Sequence, residues 1–180
     1  PHPQTDELEP GVKAARKFLA DFPNDVRSIL LAYEIAQAYQ ACGRSEDAIQ
    51  AYQDVVAGKG FSLPKGEVAT TKDETGESPA ERLERLRMSA TYKIGEIRFA
   101  QKDYAGAIET WNQYIKQFPN APQWTDAQQG IINAEFQTGV DFIAEEKYDD
   151  AVKIWDEFLV KHPLSPLCRQ IMFVYGQIHY

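Results

Sequence analysis

Apolar and aromatic positions along the chain recur at three- and four-residue spacing, the period that lays side chains on one face of an α-helix. Ala107, Trp111 and Tyr114 form one such stripe, and Ala151, Trp155 and Phe158 form another. Each is followed five residues on by a proline, Pro119 or Pro163, which cannot continue the hydrogen-bond ladder and so stops the helix. Start signals agree with these stops. Ser78-Pro79-Ala80-Glu81 reads as a capping box with proline at the first helical position, Ser165-Pro166 repeats the cap-then-proline order, and Ser45 precedes a further stripe. The pattern predicts an all-α chain of about eight helices, near 11–22, 26–42, 45–57, 79–101, 104–118, 123–146, 148–161 and 166–180.

The stripes belong to an internal repeat. Gly95, Tyr104, Ala107, Trp111, Phe118 and Pro119 stand 44 residues before Gly139, Tyr148, Ala151, Trp155, His162 and Pro163 (139 − 95 = 44; 163 − 119 = 44), and five of the six pairs are identical. Small residues let two helices approach closely where they cross, and aromatics fill the seam. The same frame fits Ala36, Tyr39, Ala48, Tyr52 and Val55 at an offset of 59 (107 − 48 = 59), with Gly60 where proline would fall. Met172, Tyr175 and Gly176 sit like the opening helix of a further copy, and Val12 to Phe22 with Pro23 reads as the closing helix of an earlier one.

The predicted organisation is one domain over 1–180. It comprises a partial repeat at 11–23, complete repeats at 26–57, 78–119 and 122–163, a partial repeat at 165–180, and an insertion at 58–77. A chain that starts and stops in mid-repeat reads as a piece of a longer protein. The first helix of the third pair is expected to be lengthened at its start by about two and a half turns, with Trp124 on the added part. The insertion, with Gly58, Gly60, Pro64, Gly66 and Gly76, reads as a polar loop. Either it is a tolerated surface insertion, or Phe61, Leu63 and Val68 anchor it across one end of a groove.

These residues and spacings resemble the tetratricopeptide repeat family over nearly the whole chain. There are departures. The family's period is about 34 residues, Arg98 takes a position that is usually apolar, and Glu135 and Thr138 sit where larger apolar residues are common. The resemblance implies a right-handed α-solenoid of antiparallel helix pairs, a non-catalytic scaffold that binds a protein or peptide on its concave face. By the same resemblance, the groove-facing positions lie three before each small residue and one and four after it. Three before gives Tyr33, Tyr92, Phe136 and Phe173; one after gives Gln37, Glu96, Val140 and Gln177; four after gives Gln40, Phe99, Ile143 and Tyr180.

Such a surface is aromatic and amide-rich, with few cations. It suits an extended or helical apolar peptide and lacks the lysines that a clamped terminal carboxylate requires. The competing expectation is that the aromatic column is core, packed against neighbouring helices. Phe-Pro-Asn at 22–24 and 118–120 and His-Pro-Leu-Ser-Pro at 162–166 are similar to the repeat ends of bacterial envelope proteins of outer-membrane assembly and cell division, which implies a periplasmic location. The alternatives to a scaffold are an architectural spacer or a regulatory segment of a larger envelope or secreted protein. Open solenoid ends without polar capping helices point to self-association.

Charge narrows the partners. The net charge is −8, and the basic residues are scattered, which argues against nucleic acid or an anionic membrane. No apolar run approaches the roughly 20 residues that span a bilayer. Cys42 and Cys168 are too few for a disulfide framework or a zinc site and read as small semi-buried residues, with a bond between them left open.

Chemistry is sparse. His2, His162 and His179 have no partner at metal-ligand spacing, and His162 suits a helix end, where the dipole favours it. Glu145-Glu146 and Asp149-Asp150 read as solvated helix-flanking charges, and Gly58-Lys59-Gly60 lacks the spacing of a phosphate loop. No nucleophile motif is present, so no enzyme activity, cofactor or metal is expected.

Overall fold

A computed structural model describes residues 5–178, with side chains from Leu8 onward. His2, His179 and Tyr180 lie outside the described residues. The helices are α1 (Thr5–Asp21), α2 (Val26–Ala41), α3 (Ser45–Ala57), α4 (Pro79–Ala100), α5 (Tyr104–Gln117), α6 (Trp124–Ala144), α7 (Tyr148–Lys161) and α8 (Leu167–Ile178). A short 3-10 turn at Gly66–Ala69 lies in the loop before α4, and the described residues contain no strand.

Two expectations are adjusted. Helix α1 begins six residues before the predicted Gly11 start (11 − 5 = 6), because Leu8 extends the stripe of Val12, Ala15 and Leu19 by one turn. Lengthening is shared by α4 and α6, at 22 and 21 residues against 16 for α2, and is not peculiar to the third pair.

The chain falls into two compact units, Pro1–Ile97 and Arg98–Tyr180. In the first, α1 packs on α2 and α2 on α3. Ala36, Ala48, Tyr52 and Val55 are fully buried there, and Tyr39 nearly so, joined by Leu83, Leu86 and Ala90 of α4. In the second, α5, α6, α7 and α8 pack in succession. Ala107, Trp111, Tyr114, Ala151, Trp155 and Phe158 are all buried, so the repeat frame is the core frame. The free volume left by glycine is used directly. A Cβ at Gly130 would fall 2.7 Å from the Trp111 ring, and one at Gly139 2.2 Å from Nε1 of Trp155.

The connections repeat as the helices do. Gly43, Lys102 and Glu146, with φ of 72°, 64° and 60°, end the first helix of each pair in left-handed conformation. In each case the next N–H reaches back five residues, from Arg44 to Tyr39, Asp103 to Arg98 and Lys147 to Phe142, at 2.9–3.0 Å. The proline ends also share one geometry. The N–H groups of Phe22, Phe118 and His162 each bond the carbonyl four residues back at 2.8 Å, and each of the three carbonyls accepts an N–H three residues on.

Arg98, the charged departure from the repeat pattern, is accounted for by its partners. Its Nη1 donates to the Gly106 carbonyl and to Thr110 Oγ1, both at 3.0 Å, so a polar side chain stitches the end of α4 to α5. The insertion is built rather than structureless. Phe61 is buried in the core of the first unit, and the Ser62 N–H donates to the Pro23 carbonyl at 2.7 Å. Asp73 Oδ1 accepts from the N–H of Thr75 and Glu77 and from the Thr75 hydroxyl, while Arg82 pairs with its other oxygen. Leu63 and Val68, expected as further anchors, are exposed, so Phe61 alone of the three holds the loop down. The capping box forms, with the Ser78 N–H on Glu81 Oε2 at 2.7 Å and the Glu81 N–H on Ser78 Oγ at 3.3 Å.

Candidate protein-interaction face

In the first unit the aromatic position Tyr33 is buried. Its ring meets Tyr52 edge-on at 5.4 Å, and its hydroxyl lies 2.6 Å from Ser89 Oγ. Gln40 is tied into the same cluster, since its Oε1 accepts the Tyr52 hydroxyl at 2.7 Å. Burial, followed by the neighbouring Tyr33 hydroxyl, holds the Tyr52 phenol well above the ordinary tyrosine range, so it stays neutral and donates. Gln37 is exposed, Tyr92 is half-buried, and Glu96 is half-buried and paired with Lys93 at 2.6 Å. The accessible part of this face is therefore Gln37 with the outer portions of Tyr92 and Glu96.

In the second unit Phe136 is 8% exposed. It stacks on Trp155 with ring centres 5.7 Å apart and planes 19° apart, and it meets Phe158 edge-on at 6.3 Å. The indole Nε1 of Trp155 donates to the Phe136 carbonyl at 3.1 Å. Val140 and Ile143 are half-buried against the same cluster, and Phe99 is half-buried between Tyr104 and Trp111. Phe173 and Gln177 on α8 are exposed, Phe173 at 67%. Tyr175, on the same helix, donates to the Val152 carbonyl at 3.1 Å and to Asp156 Oδ1 at 3.0 Å. Its pKa is raised first by burial and then by that carboxylate.

Register thus brings Tyr33 and Phe136 into the core, while Tyr92 is half-buried and Gln37, Phe173 and Gln177 meet solvent. Sequence reasoning did not single out Met172, Val160 and Leu164 as surface groups, yet they are exposed at 60%, 84% and 96%. The apolar stripe of α8 gave no sign of which of its residues would be covered.

Sites of other chemistry are not assembled among the described residues. No group of three metal-ligating side chains occurs, and no helix is long and apolar enough to cross a membrane. No disulfide joins the two cysteines, Cys42 lying in the first unit and Cys168 in the second. His162 closes α7, packs 4.9 Å from the Phe158 ring and places Nε2 2.6 Å from Glu135 Oε2. Glu145 pairs with Lys147 at 2.7 Å, and Asp149 and Asp150 lie exposed in the first turn of α7, where the helix dipole favours them.

No curated protein and no solved structure matches the chain. Residues 89–121, from the middle of α4 through α5 to the turn beyond, match the tetratricopeptide repeat family. That span carries Gly95, Ala107, Trp111, Tyr114 and Pro119, one full copy of the frame. The copy at 89–121 is accordingly of the tetratricopeptide type, a repeat that generally serves as a non-enzymatic protein-interaction module.

Proposed function

We propose that the chain is a protein-interaction scaffold that binds a peptide or partner segment through the first helices of its pairs. The observation that carries this reading is the tetratricopeptide match at 89–121, together with two in-frame copies of the same helix-pair pattern on either side. Burial of Tyr33 and Phe136 narrows the contact set to the accessible residues of each unit. These are Gln37 with the half-buried Tyr92 and Glu96 in the first, and Phe173 and Gln177 with the half-buried Phe99, Val140 and Ile143 in the second. Amides of this kind fix a bound backbone, and the exposed ring supplies apolar area. An envelope location is part of the proposal, supported by the Phe-Pro-Asn repeat ends.

The test compares the chain with a Gln37→Ala/Tyr92→Ala double variant and with Phe173→Ala. Peptides selected from a random display library are measured against all three by fluorescence anisotropy. The proposal requires weakened binding in at least one variant at unchanged melting temperature. Selected peptides that bind all three chains equally would leave the assigned face without a role. The spacer alternative draws its support from the two buried rings, and it requires that no peptide be selected at all.

A further inference from the structure

In the second unit, α5 and α7 both lie against α6, and a groove of about 440 Å³ runs between them. Its floor is Glu135 and Thr138 of α6, and its walls are Tyr104 and Ile108 of α5 with Ile154 and Phe158 of α7. The first unit holds a matching groove of about 410 Å³, where α2 provides Ala32 and Ile35 between α1 and α3. Counted from the small residue of the frame, both floors use the same two positions, four and one before it: Ala32 and Ile35 before Ala36, Glu135 and Thr138 before Gly139. The hollow therefore recurs with the repeat. Its cause is that neither Ala32 nor Glu135 carries the bulky apolar side chain that would close the furrow.

In the second unit this groove is distinct from the face proposed above. At 3.6 residues per turn, Glu135 and Thr138 point away from the side of α6 that bears Phe136, Val140 and Ile143. Its chemistry is apolar walls under a rim of paired charges with one carboxylate to spare. Lys102 is paired with Asp141 at 3.3 Å, and Lys161 with Glu135, so neither lysine is left over. Asp103 accepts the Gly106 N–H at 3.0 Å and faces Arg98 Nε at 3.9 Å, so Glu157, exposed and with no ion pair among the described residues, is the lining carboxylate left for an incoming cation. The five charged lining groups sum to −1 (two lysines against Asp103, Glu135 and Glu157), within a chain of net charge −8.

We infer that this groove is a second docking site, which takes a large apolar side chain from a basic segment of a partner polypeptide. The ring occupies the furrow over Thr138, and an adjoining Lys or Arg pairs with Glu157. The inference is independent of the aromatic and amide face, and the Gln37→Ala/Tyr92→Ala variant should leave it untouched.

The experiment titrates the 15N-labelled chain with acetyl-Gly-Lys-Trp-Lys-Gly-amide and with its Glu-Trp-Glu counterpart, following amide shifts. Saturable shifts are expected at Ile108, Thr138 and Ile154 with the basic peptide, and about threefold weaker binding with the acidic one, the size of one solvent-exposed ion pair. Thr138→Leu, which fills the floor, should abolish the shifts without lowering the melting temperature. Glu157→Lys, a surface change that leaves the fold intact, should weaken the basic peptide alone. Absence of saturable groove shifts, equal binding of both peptides, or undiminished binding by Thr138→Leu and Glu157→Lys would each overturn the assignment. Groove shifts on simple dilution, with no peptide present, would give the furrow to a second copy of the chain and overturn it equally.

Discussion

The approach of Trp155 to Gly139 turns a normally stabilising substitution into a damaging one. Replacing glycine by alanine inside a helix ordinarily gains about 1 kcal/mol. At Gly139 the added Cβ would lie 2.2 Å from Nε1 and 2.5 and 2.6 Å from two carbons of the Trp155 ring. The ring cannot swing aside cheaply, because it is 1% exposed, stacked on Phe136 and bonded to the Phe136 carbonyl at 3.1 Å. Overpacking costs about 1–3 kcal/mol, and an indole donor stripped of its buried partner costs about 1–3 kcal/mol more. Against the propensity gain, Gly139→Ala should lose about 3 kcal/mol net. The control is Gly176→Ala in α8, where an added Cβ meets nothing within 4 Å. It should gain up to about 1 kcal/mol. Urea unfolding followed by tryptophan fluorescence measures both, and the pair should move in opposite directions. If Gly139→Ala proved as stable as the parent chain, the glycine-for-approach argument would be wrong.

Three further outcomes follow from the geometry. Glu146→Gly relieves a left-handed residue at φ 60° and should raise stability by about 0.5–1 kcal/mol in the same urea assay. Phe61→Ala should cost about 3 kcal/mol because the ring is buried, whereas Leu63→Ala should change stability by less than about 0.5 kcal/mol; faster limited proteolysis within 58–77 should accompany the first change and not the second. Asp25 caps α2, and hydrogen bonds from the Arg27 side chain, then from its N–H, lower its carboxyl from 3.8 to about 2. A carboxyl depressed by folding stabilises above its unfolded pKa, so this contribution is whole above 3.8 and disappears as pH falls through about 2. Thermal melts between pH 5 and 2 should therefore fall less steeply for Asp25→Asn than for the parent chain.

What the sequence determined by itself was the frame: which residues are helical, where each helix stops, and which residues recur as core. Those features are local. Period, proline and capping chemistry act within a few residues, and Trp111, Trp155, Ala107 and Ala151 are buried as their spacing required. Turn chemistry was legible only where glycine carried it. Gly43 announces a left-handed turn, but Lys102 and Glu146 adopt the same conformation under side chains that normally avoid it.

Tertiary structure decided the rest, because burial depends on what lies opposite a residue and not on its own register. Tyr33, Tyr92, Phe136 and Phe173 share one position in the frame. Yet Phe136 is enclosed by Trp155 and Phe158, while Phe173 is 67% exposed. Composition likewise marked 58–77 as a polar loop, and only the packed structure shows Phe61 seated in the core and Asp73 organising the backbone before α4. The departures at Glu135 and Thr138 were visible as letters in the sequence. That they open a hollow between α5 and α7 required three helices to be in place, since a cavity is a property of what fails to meet across space.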